Sequence, residues 1–205
     1  MKTIAEQKFD TIIKDCFLSV LKPLGFKKKA NNFYRQLPDL GQIVNVQKSM
    51  FYSKEHISFT INTGIFIPEY WLVYYDYHDG NIPEYPTESA CAIRQRIGDL
   101  RYKRDTWFEI SSDTDIEVLK RETSDNVTNY IIPYFEKNKN KTNIVNLLED
   151  KSIPLSKFAR LIIYGEYKNH EKAQTEFDLL KKDNFILNNL KSSLDEYQLK
   201  YNLND

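Results

Sequence analysis

The stretch His56 to Ile67 constrains this chain more than any other, because its polarity changes with a period of two. Ile57, Phe59, Ile61 and Ile65 fall on one side, and Ser58, Thr60 and Asn62 on the other. Successive side chains of a β-strand point to opposite faces, so this pattern predicts a strand with one apolar face. Gln42 to Met50 repeats it, with Val44 and Val46 inward and Asn45, Gln47 and Ser49 outward, although Ile43 interrupts the alternation. The outward residues are amides and hydroxyls rather than charges. Antiparallel pairing would bring Asn45, Gln47 and Ser49 close to Ser58, Thr60 and Asn62. Arg94 and Arg96 alternate with Ile93 and Ile97 and are expected to add guanidinium donors to the same side.

The flanking residues set the fold class. Phe9, Ile12, Ile13, Cys16, Phe17, Val20 and Leu21 recur at helical spacing, predicting an amphipathic helix over 3–22 that Pro23 and Gly25 terminate. Phe26 to Lys29 and Phe33 to Leu37 then flank Ala30-Asn31-Asn32, a tight-turn signal. Further strands are expected over Cys91–Leu100 and Trp107–Ile110; the segment 69–90 is too irregular to assign as a whole, with Trp71–Tyr75 its candidate strand. Thr114 to Glu117 matches a capping box opening a helix to about Glu136, kinked or shortened by Pro133. A short helix over 141–149 follows, and helices fill the chain from Pro154 onward. The expected architecture is α+β: an N-terminal helix, a mainly antiparallel sheet of five to six strands, and a C-terminal helical subdomain. The core domain is placed at 1–150 and the helical extension at 151–205.

Composition removes several function classes. Twenty-nine basic residues balance twenty-nine acidic ones, so no global field steers the chain toward nucleic acid or a membrane surface. Charged residues interrupt the N-terminal apolar positions, against a secretory signal, and no run reaches the roughly 20 apolar residues of a membrane helix. Cys16 and Cys91 have no metal-like or redox-like spacing and read as reduced core thiols of a cytoplasmic protein. Aromatics reach 14%, and the segment 69–90 concentrates them among acids and prolines, which suits either a core or an interface.

Catalytic signatures are not found. The glycines form neither a Walker loop nor a dinucleotide fingerprint, and no nucleophile elbow occurs. His78 beside Asp76 and Asp79 is the best local metal candidate, but a solvated loop explains it as well. Lys27-Lys28-Lys29 invites a phosphate contact. On a strand, however, alternate lysines point to opposite faces, and lysines at a sheet edge discourage aggregation. No cofactor and no metal site are expected.

The blocks LKPLGFKKK, NNFYR, VNVQKS, FTINTGI and RIGDL, with Trp107 following, occur in one order between residues 5 and 150. In that order they resemble a bacterial family known as domain of unknown function 4304, in which a glycine would be expected where Ala30 stands. The resemblance implies an α+β domain and supplies no activity, although small domains of this kind often occur as orphan accessory proteins or as candidate immunity proteins beside toxins. FARLIIYGEYKNHEKAQTEFDLL resembles a single tetratricopeptide-type helical hairpin, too little for a repeat array.

The reading is therefore a non-enzymatic protein-binding module, with Asn45, Gln47, Ser49, Thr60, Asn62, Arg94 and Arg96 as its candidate surface. Its alternatives are a nucleic-acid-binding domain using Lys27 to Lys29, Arg94, Arg96 and the 101–104 region, and a small-molecule binder or cryptic enzyme using the polar face. Another protein is the expected partner, with nucleic acid disfavoured and a membrane excluded. The sequence leaves homo-oligomerisation open.

Overall fold

A computed structural model describes residues 1–51, 53–75, 80–101 and 104–204. The chain opens with a helix, α1, whose Thr3 and Glu6 close the capping box: the Glu6 amide donates to Thr3 Oγ1 (3.2 Å) and the Thr3 amide to Glu6 Oε2 (2.9 Å). This helix runs Ile4–Ile12, passes through a π-helical turn at Ile13–Leu18 and ends at Ser19–Leu21. It buries Phe9, Ile12, Cys16 and Phe17, as the helical spacing requires. Gly25, at φ +88°, ends the following 3₁₀ turn.

Six strands form one antiparallel sheet in the order β1-β2-β3-β4-β5, with β6 pairing the remaining edge of β4. They are β1 (Lys27–Lys29), β2 (Asn32–Gln36), β3 (Gly41–Lys48), β4 (Ile57–Phe66), β5 (Ile93–Arg96) and β6 (Phe108–Ile110). All three lysines of β1 are exposed at one end of the sheet. Hairpin β1–β2 turns at Ala30 and Asn31, and Ala30 sits at φ +52°. The expected glycine would adopt this conformation freely.

One face of the sheet receives α1 and the long helix α4, composed of Ile116–Asn126, a π turn at Val127–Ile131 and Ile132–Lys137. Phe9, Phe17, Val44, Val46, Phe59, Ile61, Ile131 and Phe135 share that core. Helix α4 starts one residue later than the capping pattern suggests: Asp115 Oδ1, not Thr114, accepts from the amides of Glu117 and Val118. Thr114 Oγ1 instead accepts from the Ser111 amide, ending the β6 turn. Pro133 does not stop the helix, and the π turn directly before it accommodates the missing donor. Gln42, fully buried on β3, locks helix to sheet: its amide donates to the carbonyls of Phe135 (2.9 Å) and Asn138 (3.4 Å). Its carbonyl accepts from Arg35, whose guanidinium continues to Glu136.

The expected strand at Trp71–Tyr75 is a helix instead, α2 (Pro68–Tyr74). Proline is preorganised for the first helical turn. The rings then meet at i,i+4 spacing, Tyr70 on Tyr74 (5.0 Å) and Trp71 on Tyr75 (4.5 Å). The expected strand over Cys91–Leu100 is extended only through β5; Ile97–Arg101 forms a short helix, α3. A Cβ on Gly98 would lie 1.7 Å from the Arg104 carbonyl oxygen, so this close return requires glycine.

Helix α5 (Lys141–Leu147) leads to the C-terminal helices α6 (Ala159–Glu166), α7 (His170–Leu180), α8 (Asn184–Asn189) and α9 (Lys191–Tyr201). Ile153, Phe158, Ile162, Phe177 and Leu194 join the same buried cluster as the α1 residues. Arg160 reinforces the junction, donating to the carbonyls of Leu148, Asp150 and Ile153. In the α6–α7 hairpin, Gly165 admits the Tyr201 ring where a Cβ would be 2.6 Å away. Among the described residues no helix is long and apolar enough to cross a membrane.

Two substitutions test this account. Ala30→Gly relieves a left-handed alanine and is expected to raise stability by up to about 1 kcal/mol in urea unfolding. Gln42→Leu removes its bonds to the Phe135 and Asn138 carbonyls and to the Arg35 guanidinium, and should lower stability by about 1–3 kcal/mol in the same assay.

Candidate functional site

On the opposite face of the sheet, a row of aligned residues crosses five strands: Lys29, Asn32, Asn45, Asn62 and Arg96. Cross-strand neighbours on one face are within contact distance, so the amides hydrogen-bond in series. Asn45 Nδ2 donates to Asn32 Oδ1 (2.8 Å), and Asn62 Nδ2 donates to Asn45 Oδ1 (3.1 Å) and Gln47 Oε1 (2.8 Å). The expected proximity of Asn45, Gln47 and Asn62 is therefore present, with Asn32 as a member the strand pattern alone did not single out.

Two of the expected residues stand apart. Thr60 shares the face but is fully buried, its hydroxyl donating to the Thr106 carbonyl (2.8 Å) beneath the chain returning to β6. Ser49 lies beyond the end of β3, where its Oγ accepts from the Phe51 amide. Neither reaches the cleft described below.

The other end of this face is covered. Tyr34, Ile43 and Phe66 pack against Trp71, Ala90 and Cys91, with Tyr75 and Tyr85 at the margin. Ile43, which breaks the alternation on β3, is the residue this cover requires. Gly64 lets the cover approach, since a Cβ there would stand 2.5 Å from Cys91 Sγ. Trp71 Nε1 donates to the Asn81 carbonyl, and the Tyr85 hydroxyl bonds to the carbonyls of Lys27 and Asn32. Much of the aromatic segment is thus committed to packing. Burial pushes the Tyr34 phenol up to about 12.

Between cover and amides opens a cleft of about 460 Å³. Gln47 and Asn62 form its floor, Tyr70 and Tyr74 of α2 one wall, and Pro154, Leu155 and Ser156 another. Tyr70 and Ser156 are joined through their hydroxyls at 2.9 Å. Arg94 and Arg96 line the cleft from one face of β5, and Gln95 from the other. A cavity touching both faces of a strand passes its free edge. Tyr74 and Ser156 also line a second cavity of about 470 Å³, bounded by Val73, Phe158, Leu190 and Tyr197, so the groove continues onto the C-terminal helices.

Both arginines are already engaged. Arg94 donates to both carboxylate oxygens of Glu88 (2.7 and 3.0 Å), the bidentate geometry guanidinium favours. Arg96 donates to Asp105 (2.9 Å) with its guanidinium 5.5 Å from the Trp107 ring centroid. Trp107 Nε1 also donates to Asp105, and with Arg96 it holds that carboxyl below its ordinary range. Within the cleft lining, Arg94 and Arg96 are balanced by Glu88 and Asp99. The amides also keep hydrogen-bonding capacity: Asn62 Oδ1 and Gln47 Nε2 have no partner among the described residues. Asn62, only 5% exposed, lines the cleft.

Cys91 lines the cleft, but complete burial pushes its thiol well above the ordinary value, with Glu88 adding to the effect. Such a thiol is a poor nucleophile. Cys16 is likewise raised by burial and lies beside the Lys120 carbonyl. His78, the best local metal candidate of the sequence, lies outside the described residues. Among the described residues, no group of three His, Cys, Asp or Glu could hold a metal ion.

The walls of this cleft, α2 and residues 154–156, lie far from its floor in sequence, and no local pattern connects them. The one usable signal was the tyrosine density after Pro68. In comparison with known proteins, residues 17–137 match the family model described as Domain of unknown function (DUF4304). No curated protein and no solved structure matches.

Both cysteines should resist alkylation. At pH 8, iodoacetamide is expected to label the folded chain far more slowly than the urea-unfolded chain, read by intact mass. Rapid labelling of the folded protein would contradict the burial of Cys91.

Proposed function

The chain belongs to the family described as Domain of unknown function (DUF4304), and within it we propose a non-catalytic role: binding a segment of another protein in the cleft between the amide row and the Tyr70–Tyr74 wall. The observation carrying this reading is the open acceptor of Asn62 beside the open donor of Gln47, at the floor of a charge-balanced cleft. A carboxamide pair offering one donor and one acceptor matches a peptide group or another amide. An anion would instead compete with Glu88 and Asp105, which already offset the charge of both arginines.

The same ion pairs weigh against nucleic acid. Arg94, Arg96 and Arg101 pair with Glu88, Asp105 and Glu122, while Lys27 to Lys29 lie at the opposite edge of the sheet. The cleft volume lies within the roughly 300–1,000 Å³ of ordinary ligand sites. Its extension past Tyr74 toward Tyr197 favours an elongated occupant over a compact one.

The test is affinity capture from the native host with immobilised wild-type protein, Gln47→Leu, Tyr74→Ala and, as control, Lys28→Ala. Gln47 is half-buried and Tyr74 exposed, so both variants should fold. Wild type and Lys28→Ala are expected to retain a common protein that the two cleft variants lose. Equal recovery by all four, or no specific protein with any, would remove the reading.

A further inference from the structure

We propose that the free edge of β5 is the docking line for the partner, which adds an extended, uncharged segment to the sheet as one more strand beside Arg94. This inference rests on the cleft-binding reading and specifies how the cleft is occupied.

The alternation of main-chain groups identifies the open positions. In an antiparallel pair each residue turns its N–H and C=O to the same side, and consecutive residues turn to opposite sides. The Ser58 carbonyl accepts from the Ser49 amide, so the even-numbered residues of β4 face β3 and the odd-numbered ones face β5. Thr63 and Ile65, opposite Gln95 and Ile93, therefore carry the β4–β5 ladder. The Thr63 hydroxyl bonding the Gln95 carbonyl at 2.9 Å agrees with that assignment. Arg94 and Arg96 turn their main-chain groups the other way, toward the cleft. At Arg96 the amide is taken by Asp99 Oδ2 (3.0 Å), which closes the ladder at the start of α3. The Arg94 N–H and C=O are bonded to no described residue.

The two edges of the sheet are treated differently. Three exposed lysines guard β1, a familiar obstacle to edge pairing. The β5 edge is recessed in a walled cleft, and its own arginines are folded onto Glu88 and Asp105. Across the cleft stands Pro154, which has no amide to offer the edge. An added strand would receive two main-chain hydrogen bonds from Arg94, and its side chains would meet the tyrosine wall. This is recognition by strand addition, in which the main chain supplies affinity and flanking pockets supply specificity. The charge balance of the lining selects against strongly charged segments, and the second cavity beyond Tyr74 gives an aromatic or aliphatic residue a place to rest.

Proline substitution separates this mechanism from the alternatives. Arg94→Pro removes the edge-facing N–H but leaves the β4–β5 ladder intact, because proline is tolerated on the outer side of an edge strand. Arg94→Ala loses the same Glu88 ion pair and keeps the N–H. Random phage-displayed peptides of about six residues, an ordinary strand length, are selected on the full wild-type chain, and the best is measured against each variant. Arg94→Pro is expected to weaken binding about tenfold or more and Arg94→Ala less than about threefold. Methylating one backbone nitrogen of the peptide should mimic the proline loss. The Arg94 amide should exchange rapidly in the free protein and slow when peptide is added, a readout that serves even if Arg94→Pro fails to fold.

Equal affinity of the proline and alanine variants, or an Arg94 amide whose exchange is unchanged by peptide, overturns strand addition. If Gln47→Leu nevertheless weakens the same peptide, the cleft reading survives without it; if Gln47→Leu and Tyr74→Ala both bind normally, the cleft reading falls as well. Selection yielding no peptide, or only self-association of the chain through β5, also overturns the proposal.

Discussion

Everything in this fold is arranged around β4 being buried on both faces. Nine of its ten residues are buried, and it pairs with β3 on one side and with β5 and β6 in succession on the other. An apolar strand in that position needs only packing, but β4 carries Thr60, Asn62 and Thr63 at its centre. Each buried polar group left alone would cost about 1–3 kcal/mol. Each is answered differently: Thr60 by the Thr106 carbonyl, Thr63 by the Gln95 carbonyl, and Asn62 by two neighbouring amides. The loop after α3, the short β5 and the amide row can all be read as consequences of that requirement.

The second face explains why the segment after Pro68 is so aromatic. A strand face that begins with amides at one end and finishes with Ile43 and Phe66 needs a cover over its apolar half only. Helix α2 and the chain from Tyr85 to Cys91 supply it, and Gly64 allows the contact. The cover stops where the amides begin, and the cleft is the step between the two levels. The site is therefore a by-product of how far an apolar cover extends over a mixed face.

Which parts were legible in the sequence follows from the range of the interactions that decide them. The α1 spacing, the strand alternation, the edge lysines and the tight turn at Ala30-Asn31-Asn32 are local, and each appears in the structure where the pattern put it. The helix at Trp71 was obscured because Trp, Val and Tyr favour strands in isolation, while the deciding contacts are ring pairs one turn apart and a sheet face beneath them. Thr114 and Asp115 are both competent caps, and the Ser111 turn, which uses Thr114, selects between them. Asn45, Gln47 and Asn62 were found together because strand register joins them; Thr60 was misjudged as open because the covering carbonyl comes from residue 106. The α2 wall and the 154–156 wall were invisible for the same reason, being brought to the floor only by tertiary packing.

The row Lys29, Asn32, Asn45, Asn62, Arg96 shows how burial grades the chemistry of this face. Charges stand at its two ends, where Lys29 is exposed and Arg96 has Asp105 and solvent. Neutral amides occupy the interior, where an unpaired ion would lose its hydration without return. An amide is the compromise such a position permits: it bonds along the row and retains capacity that the row does not exhaust. Asn62 lines a walled space beside the edge of β5, where the Arg94 main chain has no partner among the described residues. Two unmet hydrogen-bonding demands of different origin, one from a side-chain row and one from an edge strand, thus converge on the same cleft. In the proposed reading, peptide main chain is the chemical group that would answer both.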